Sequence, residues 1–217
     1  MSCKSTLTSR VAFVGFLLLS AIYFCRGHFP LSGQAWADVT KCAPVLFLAI
    51  ATLRAGGSRF MPLALLLSAA GDWAGEHGIF LLQLSLFALA HIAYVIYFAK
   101  GAYFGKRGTV VAILWSVVML SIGGYIIPHI GSVVVQVACG VYVLLIGTMA
   151  LFAFMSSGAL RVYNIIAALL FVASDSCIAI NKFVGKFEYA GIIIMTTYFA
   201  AQLIFACVHI KKSTQRC

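Results

Sequence analysis

The chain has 217 residues, of which 63% are hydrophobic and only 9% are charged, and its formal net charge is +10 at pH 7. Soluble globular domains carry about 25% charged residues, so this composition excludes an ordinary soluble protein and predicts an integral membrane protein. The positive charge needs no nucleic-acid partner, because basic residues that flank membrane helices on the cytoplasmic side account for it.

Apolar runs along the chain predict an all-α membrane protein, a bundle of eight transmembrane helices in a single polytopic domain over residues 1–217. The runs cover residues 11–25, 40–54, 61–75, 79–99, 109–127, 132–155, 160–181 and 189–210. A helix needs about 20 residues to cross a hydrocarbon core, so the short second and third runs are expected to cross with help from their neighbours. A cleavable signal peptide is the weaker interpretation of the first run, because the Ala35-Trp36-Ala37 site lies far beyond it.

The basic residues predict the orientation of these spans. If the N-terminus is cytoplasmic, the outer segments contain only Arg26, Lys41, Lys182 and Lys186. The inner segments contain the remaining eleven: Lys4, Arg10, Arg54, Arg59, Lys100, Lys106, Arg107, Arg161, Lys211, Lys212 and Arg216. This positive-inside bias predicts that both termini are cytoplasmic.

The acidic residues divide into two groups. Asp38 and Glu188 lie at predicted span ends, where a solvated or helix-starting role is expected, and Glu76 is expected to lie in a hydrated loop. Asp72 and Asp175 lie within apolar, small-residue helices. A charged residue there costs about 2.5–3.5 kcal/mol on insertion scales, so each is expected to face the bundle interior and to have a partner or a task.

Counting along the helices predicts one polar layer in the outer half of the membrane. The third and seventh spans both run outward and bring Asp72 and Asp175 to that layer. The same counting adds four polar residues from other spans: Lys41, His91, Tyr198 and Gln202. Helical spacing predicts that four pairs of residues each share a helix face. The pairs are His91 with Tyr94, Tyr198 with Gln202, Asp72 with Glu76, and Asp175 with Lys182. A lone histidine in a bundle is more often a hydrogen-bonding residue between helices than a catalyst.

Four short motifs occur in order along the chain: G-D in SAAGD (68–72), H-x-x-Y in FALAHIAY (87–94), S-D in LFVASD (170–175, followed by IAINKF at 178–183) and Y-x-x-A-Q in TYFAAQLI (197–204). Together they resemble the YhhN-type membrane proteins, the lysoplasmalogenase family. The resemblance implies a hydrolase that cleaves the vinyl-ether bond of lysoplasmalogens, giving a fatty aldehyde and glycerophosphoethanolamine or glycerophosphocholine. It also implies a lysophospholipid substrate, and a location in the cell membrane of a bacterium or an internal membrane of a eukaryote, such as the endoplasmic reticulum.

The chemistry of this reaction suits the buried acidic residues. A vinyl ether is broken by delivery of a proton to its β-carbon, which calls for one protonated acid and one negative group. Burial and mutual repulsion of two carboxyls favour protonation of one while the other stays ionised, as in glycoside hydrolysis. We therefore predict that Asp72 and Asp175 are the catalytic pair, with neither assigned as the acid. The predicted supporting residues are Lys41, His91, Tyr94, Tyr198 and Gln202, with Lys41 as the candidate for the headgroup phosphate.

No metal or cofactor is predicted, because the seven cysteines are scattered singly without metal-ligand spacing. Two other classes of function stay open. A proton-coupled transporter also keeps carboxylates within the membrane, although no internal repeat is evident. An intramembrane aspartyl protease also uses two aspartates, but such enzymes typically carry G-x-G-D, and residues 69–72 read AAGD. The sequence carries no indication of oligomeric state.

Overall fold

The computed structural model describes residues 2–215, without the side chains of residues 2–9 and 106–107. Within these residues the chain forms eight α-helices: α1 (Ser2–Cys25), α2 (Gln34–Ala55), α3 (Phe60–Glu76), α4 (Phe80–Ala99), α5 (Lys106–Ile126), α6 (Val133–Phe154), α7 (Arg161–Ala179) and α8 (Ala190–Gln215). Short 3-10 turns at Arg26–His28 and Ile127–His129 follow α1 and α5, and a π-helical turn at Ile180–Val184 follows α7. Of the cations that predict the orientation, Arg216 lies outside the described residues, as do the side chains of Lys4, Lys106 and Arg107.

The all-helical prediction is confirmed, since residues 2–215 contain no β-strand. Seven helical segments in this part of the chain are long and apolar enough to cross a membrane, which makes the protein an integral, multi-pass membrane protein. The exception is α3, which has 17 residues. The number of crossings, the orientation of the termini and the single domain therefore stay predictions.

The start of α2 differs from the prediction. The helix begins at Gln34 rather than at residue 40 and has 22 residues, so the expectation of a short second span is wrong. The first two turns contain Gln34, Asp38 and Lys41, whose polarity interrupts the hydropathy signal without preventing helix formation. As a result, Asp38 and Lys41 lie within the helix and not at its edge.

Contacts divide the chain into two units, and the boundaries fall within α4 and α8. Unit 1 contains the residues up to 93 and those from 202 onward. In unit 1, α2 packs against both α1 and α3 around fully buried apolar side chains. These are Val45, Leu48, Met61, Ala64 and Leu65. Within a membrane, side chains of this kind hold α3 against α2 by close van der Waals packing, because lipid tails are as apolar as the side chains themselves.

A glycine pair makes the turn between α2 and α3. Gly56 and Gly57 have φ values of 77° and 84°, in the left-handed region that other residues rarely adopt. The carbonyl of Gly56 accepts hydrogen bonds from His209 Nε2 at 2.9 Å and Ser213 Oγ at 3.0 Å, both on α8. These two hydrogen bonds anchor the turn to α8.

Unit 2 contains residues 94–201, in which α6 packs against both α5 and α7. The Trp115 indole of α5 donates to the carbonyl of Gly147 on α6 at 2.9 Å. Ser174 on α7 donates to the carbonyl of Ile194 on α8 at 3.0 Å. These bonds from side chains to backbone fix neighbouring helices at defined heights, since in an apolar medium a buried donor needs an acceptor.

Candidate active site

The seven predicted site residues divide between the two units. Unit 1 contains four of them: Lys41 on α2, Asp72 on α3, His91 on α4 and Gln202 on α8. Unit 2 contains the other three: Tyr94 on α4, Asp175 on α7 and Tyr198 on α8. Five of the seven are buried to 3% exposure or less: Asp72, His91, Tyr94, Tyr198 and Gln202. These residues have the burial that a site shielded from water requires.

Asp72 lies on the buried side of α3, where small residues precede it. A Cβ atom on Gly71 would lie 2.9 Å from two ring atoms of Phe87 on α4, a separation that real Cβ atoms do not show. Only glycine therefore lets the Phe87 ring lie against this turn of α3. The ring thus covers the turn of α3 that precedes Asp72. Asp72 itself is 3% exposed.

One helical turn beyond Asp72, Glu76 joins two basic residues. Lys41 Nζ lies 3.0 Å from Glu76 Oε2, and Arg26 Nη1 lies 3.5 Å from Glu76 Oε1. The Glu76 and Lys41 side chains are 18% and 14% exposed. The expectation that Glu76 lies in a hydrated loop is therefore wrong. It is the last residue of α3 and is half-buried because its two partners come from elements packed against α3.

A second polar contact lies where α2 begins and α3 ends. His77 Nε2 lies 3.1 Å from Asp38 Oδ2, and Gln34 Nε2 donates to Asp38 Oδ1 at 3.0 Å. Asp38 thus has one partner on α2 and one at His77, which follows α3, and it lies beyond the first turn of α2 rather than in the solvated or helix-starting position expected for it. Water screens exposed pairs of this kind, so this contact positions the helix ends more than it stabilises them.

Lys41 has an acidic partner one helical turn beyond Asp72. Its ammonium contacts Glu76, the last residue of α3. Cys42, the next residue on α2, places its Sγ 3.5 Å from the carbonyl oxygen of Ala69 on α3. The association of Lys41 with Asp72 stays a prediction, and Glu76 is an additional residue at Lys41.

In unit 2, Asp175 has a direct hydrogen-bond partner on the neighbouring helix. The Tyr142 hydroxyl of α6 donates to Asp175 Oδ2. Tyr142 is 9% exposed, and its ring lies among the apolar side chains of α6. Sequence reasoning missed Tyr142, because a tyrosine in an apolar span is usually a core residue and carries no local signal of a polar role.

Three aromatic rings form a packed row on the same unit. The Phe171 ring lies 6.2 Å from that of Tyr94 and 5.5 Å from that of Tyr198, both in edge-to-face geometry. Phe171 precedes Asp175 by one turn of α7. Two of the three predicted residues of unit 2, Tyr94 and Tyr198, are therefore linked through a ring that sequence reasoning had not selected.

The π-helical turn after α7 changes the register of Lys182. This turn covers Ile180–Val184, and a π turn takes more residues than an α turn. The seven-residue spacing from Asp175 therefore no longer predicts a shared face. Lys182 is exposed, and its Nζ lies 6.0 Å from the centre of the Phe183 ring.

A groove of about 410 Å³ runs over the surface of α2 and α3. Its lining is mostly apolar and includes Leu46, Leu66 and Trp73, with Asp38 as the single charged member. Within the part of the chain that the structure describes, no three histidine, cysteine or acidic side chains come together in a way that could hold a metal ion.

Comparison with known proteins identifies the family. The model of the YhhN family matches residues 36–208, which include all seven predicted site residues. The chain belongs to the YhhN family. Among its curated relatives, this YhhN protein is 31% identical to lysoplasmalogenase TMEM86B from Homo sapiens over 202 residues, covering 87% of this chain and 82% of that protein. It is 29% identical to lysoplasmalogenase TMEM86A from Bos taurus over 213 residues, covering 89% and 86%. No solved structure gives a significant match.

Proposed function

We propose that this protein is a lysoplasmalogenase, a hydrolase that cleaves the vinyl-ether bond of lysoplasmalogens within the membrane. The observation that carries the proposal is the similarity to two proteins named lysoplasmalogenase, at 31% and 29% identity over 82% and 86% of their lengths. Similarity over most of both chains favours a shared reaction more than a shared fold alone would. The two carboxyl groups that this chemistry uses are those of Asp72, which is buried, and Asp175, which is half-buried.

The reaction proceeds in three steps. A protonated carboxyl delivers its proton to the β-carbon of the vinyl ether, and the double bond becomes an oxocarbenium ion. Water adds to the positive carbon and loses a proton to a base, which gives a hemiacetal. The hemiacetal then breaks its carbon–oxygen bond to glycerol: its hydroxyl gives up a proton and becomes the aldehyde carbonyl, and the glycerol oxygen takes up a proton. The products are the fatty aldehyde and glycerophosphoethanolamine or glycerophosphocholine.

In this proposal Asp72 is the acid and Asp175 is the negative group. The Tyr142 hydroxyl donates to Asp175 Oδ2, so a donor holds this carboxyl group in place. Asp72 is buried to 3% exposure, which keeps water away from the proton that the acid delivers. Asp175 would stabilise the oxocarbenium ion and accept the proton of the attacking water.

The other predicted residues have supporting roles in the proposal. Lys41 contacts the headgroup phosphate, while His91 and Gln202 orient the acid or the attacking water. Tyr94 and Tyr198 present polar hydroxyls on rings that are held by Phe171. Groups of this kind accelerate a reaction by holding the reacting atoms in place, so each replacement alone should have a smaller effect than loss of an aspartate.

The proposal is tested with detergent-purified protein and three lysolipids of equal chain length. These carry a vinyl-ether, a saturated ether or an ester bond at the first glycerol carbon. We expect mass spectrometry to detect aldehyde from the vinyl-ether lipid only. Flux of lipid or protons in proteoliposomes without aldehyde release would instead support a transporter, and release of fatty acid from the ester lipid would contradict the proposed bond specificity.

Replacing Tyr142 with phenylalanine is expected to lower kcat by about 10-fold to 100-fold with little change in KM. The substitution removes a hydrogen bond to a charged group, worth about 1.5–3 kcal/mol, without removing the ring that packs α6. Steady-state kinetics of aldehyde release measure the two constants. Tyr163→Phe, which removes an exposed hydroxyl from α7, is the matched control.

The role of Tyr142 depends on Asp175, so a double-mutant cycle is decisive. Tyr142→Phe should have almost no effect in a protein that already carries Asp175→Asn. An equal loss of kcat in both backgrounds would show that Tyr142 acts independently of Asp175.

A further inference from the structure

Two basic residues in unit 1 share a single acidic partner. Arg26 and Lys41 both contact Glu76, at 3.5 Å and 3.0 Å, so this cluster of three side chains has one positive charge in excess. The Lys41 and Glu76 side chains are less than one-fifth exposed, and Arg26 is 34% exposed. Partial burial weakens solvent screening, so these two cations are expected to attract an anionic oxygen more strongly than fully exposed cations do.

The two basic residues also keep unused hydrogen-bond donors. Arg26 Nη1 is buried and makes no hydrogen bond, because its contact with Glu76 is at the limit of hydrogen-bond length. The Lys41 ammonium has three N–H donors, and its contact with Glu76 takes one of them. A further acceptor can therefore bind both side chains without displacing the carboxylate.

The Arg26 side chain also contacts an aromatic ring. The Arg26 guanidinium carbon lies 4.8 Å from the centre of the Tyr23 ring on α1. A guanidinium stacked in this way is restrained, and its planar donors suit the oxygens of a phosphate. Arg26 precedes residues 36–208, the part of the chain that matches the family model.

We propose that Arg26 and Lys41 together form a binding site for the phosphate diester of a lysophospholipid headgroup. This inference rests on the proposed function for the identity of the lipid. It adds Arg26, which sequence reasoning did not select, and it gives Glu76 the task of holding both cations at one carboxyl group. A bidentate guanidinium and an ammonium around one phosphate form a strong, charge-assisted arrangement.

The location of the site agrees with the chemistry proposed for Asp72. Glu76 lies four residues after Asp72 on α3, a rise of about 6 Å along the helix. In a lysoplasmalogen the glycerol backbone separates the phosphate from the vinyl ether by a comparable length. A headgroup held at Arg26 and Lys41 therefore leaves the vinyl ether one helical turn away, at the level of Asp72.

The test measures equilibrium binding of ligands that cannot be hydrolysed. The probes are 1-O-alkyl lysophosphatidylethanolamine, the matching 1-O-alkylglycerol without phosphate, and inorganic phosphate, each titrated into full-length protein in detergent. We expect Arg26→Gln to weaken binding of the alkyl lysophospholipid by about 10-fold to 100-fold and to leave alkylglycerol unchanged. Arg26→Lys, which keeps the charge but loses the planar donors, should show an intermediate loss.

Arg54→Gln is the matched control, because Arg54 is an exposed residue in the last turn of α2, far along the helix from Lys41. It should bind all three probes as the unsubstituted protein does. Equal weakening of alkyl lysophospholipid and alkylglycerol by Arg26→Gln would overturn the inference, and so would no weakening of either. Binding of inorganic phosphate as tight as that of the lipid would overturn the assignment to a headgroup.

Failure of this inference and failure of the proposed function give different results. Loss of phosphate-dependent lipid binding in Arg26→Gln supports the site even if no aldehyde is ever released. Aldehyde release together with unchanged lipid binding in Arg26→Gln overturns the site and leaves the proposed hydrolysis intact.

Discussion

Replacing Asp72 with asparagine is expected to lower kcat for aldehyde release by about 100-fold to 10,000-fold. Asparagine has nearly the same size as aspartate but has no acidic proton to deliver to the β-carbon, and general acid catalysis typically contributes a factor of this size. The vinyl ether must be protonated before water can add, so loss of the acid slows the first step. Aldehyde release from a lysoplasmenyl lipid by purified protein measures the effect.

Two controls separate loss of the acid from loss of the fold. Glu188→Gln also converts a carboxylate to an amide, but at an exposed position in the segment before α8, and it should keep full activity. Asp72→Asn should still bind the alkyl lysophospholipid, because Arg26, Lys41 and Glu76 are unchanged. Full aldehyde release by Asp72→Asn would remove Asp72 from the mechanism.

Replacing Asp175 with asparagine is expected to have an effect of similar size for a different reason. The neutral amide stabilises the oxocarbenium ion poorly and cannot accept the proton of the attacking water. Asparagine can still accept the hydrogen bond from Tyr142, so the packing of α6 against α7 should be retained and Tm should change little. Kinetics of the single and double variants give the comparison.

The double variant distinguishes a cooperating pair from two independent residues. Groups that act as a unit show strongly non-additive effects, so Asp72→Asn with Asp175→Asn should be no slower than the slower single variant. Effects that multiply would mean that the two aspartates act in separate steps, which would contradict the acid pair.

The helices could be predicted well because hydropathy is a local property of the chain. Each of the eight apolar runs corresponds to one α-helix, and only three helix ends differ from the runs by more than three residues: the starts of α1 and α2 and the end of α8. At α2 the error arose because Asp38 and Lys41 are polar, although both are compatible with a helix. The same polarity hid the fact that these residues lie within the helix.

The residues around the aspartates could be predicted only in part. The buried position of Asp72 followed from its apolar neighbours, and the confirmed burial of His91 and Gln202 followed from the same pattern. The partners of Glu76 could not be foreseen, because Arg26 and Lys41 lie 50 and 35 residues earlier in the chain. The bond between Tyr142 and Asp175 likewise joins residues that are 33 positions apart, on two different helices.

By itself the sequence determined a helical, multi-pass membrane protein of the YhhN family and drew attention to Asp72 and Asp175 as acidic residues in apolar helices. These properties depend on composition and on motifs that can be read residue by residue. Only the tertiary structure decided that Glu76 joins Arg26 to Lys41 and that Tyr142 donates to Asp175. The physical reason is that ion pairs and hydrogen bonds depend on distances across packed helices, which no local pattern of residues specifies.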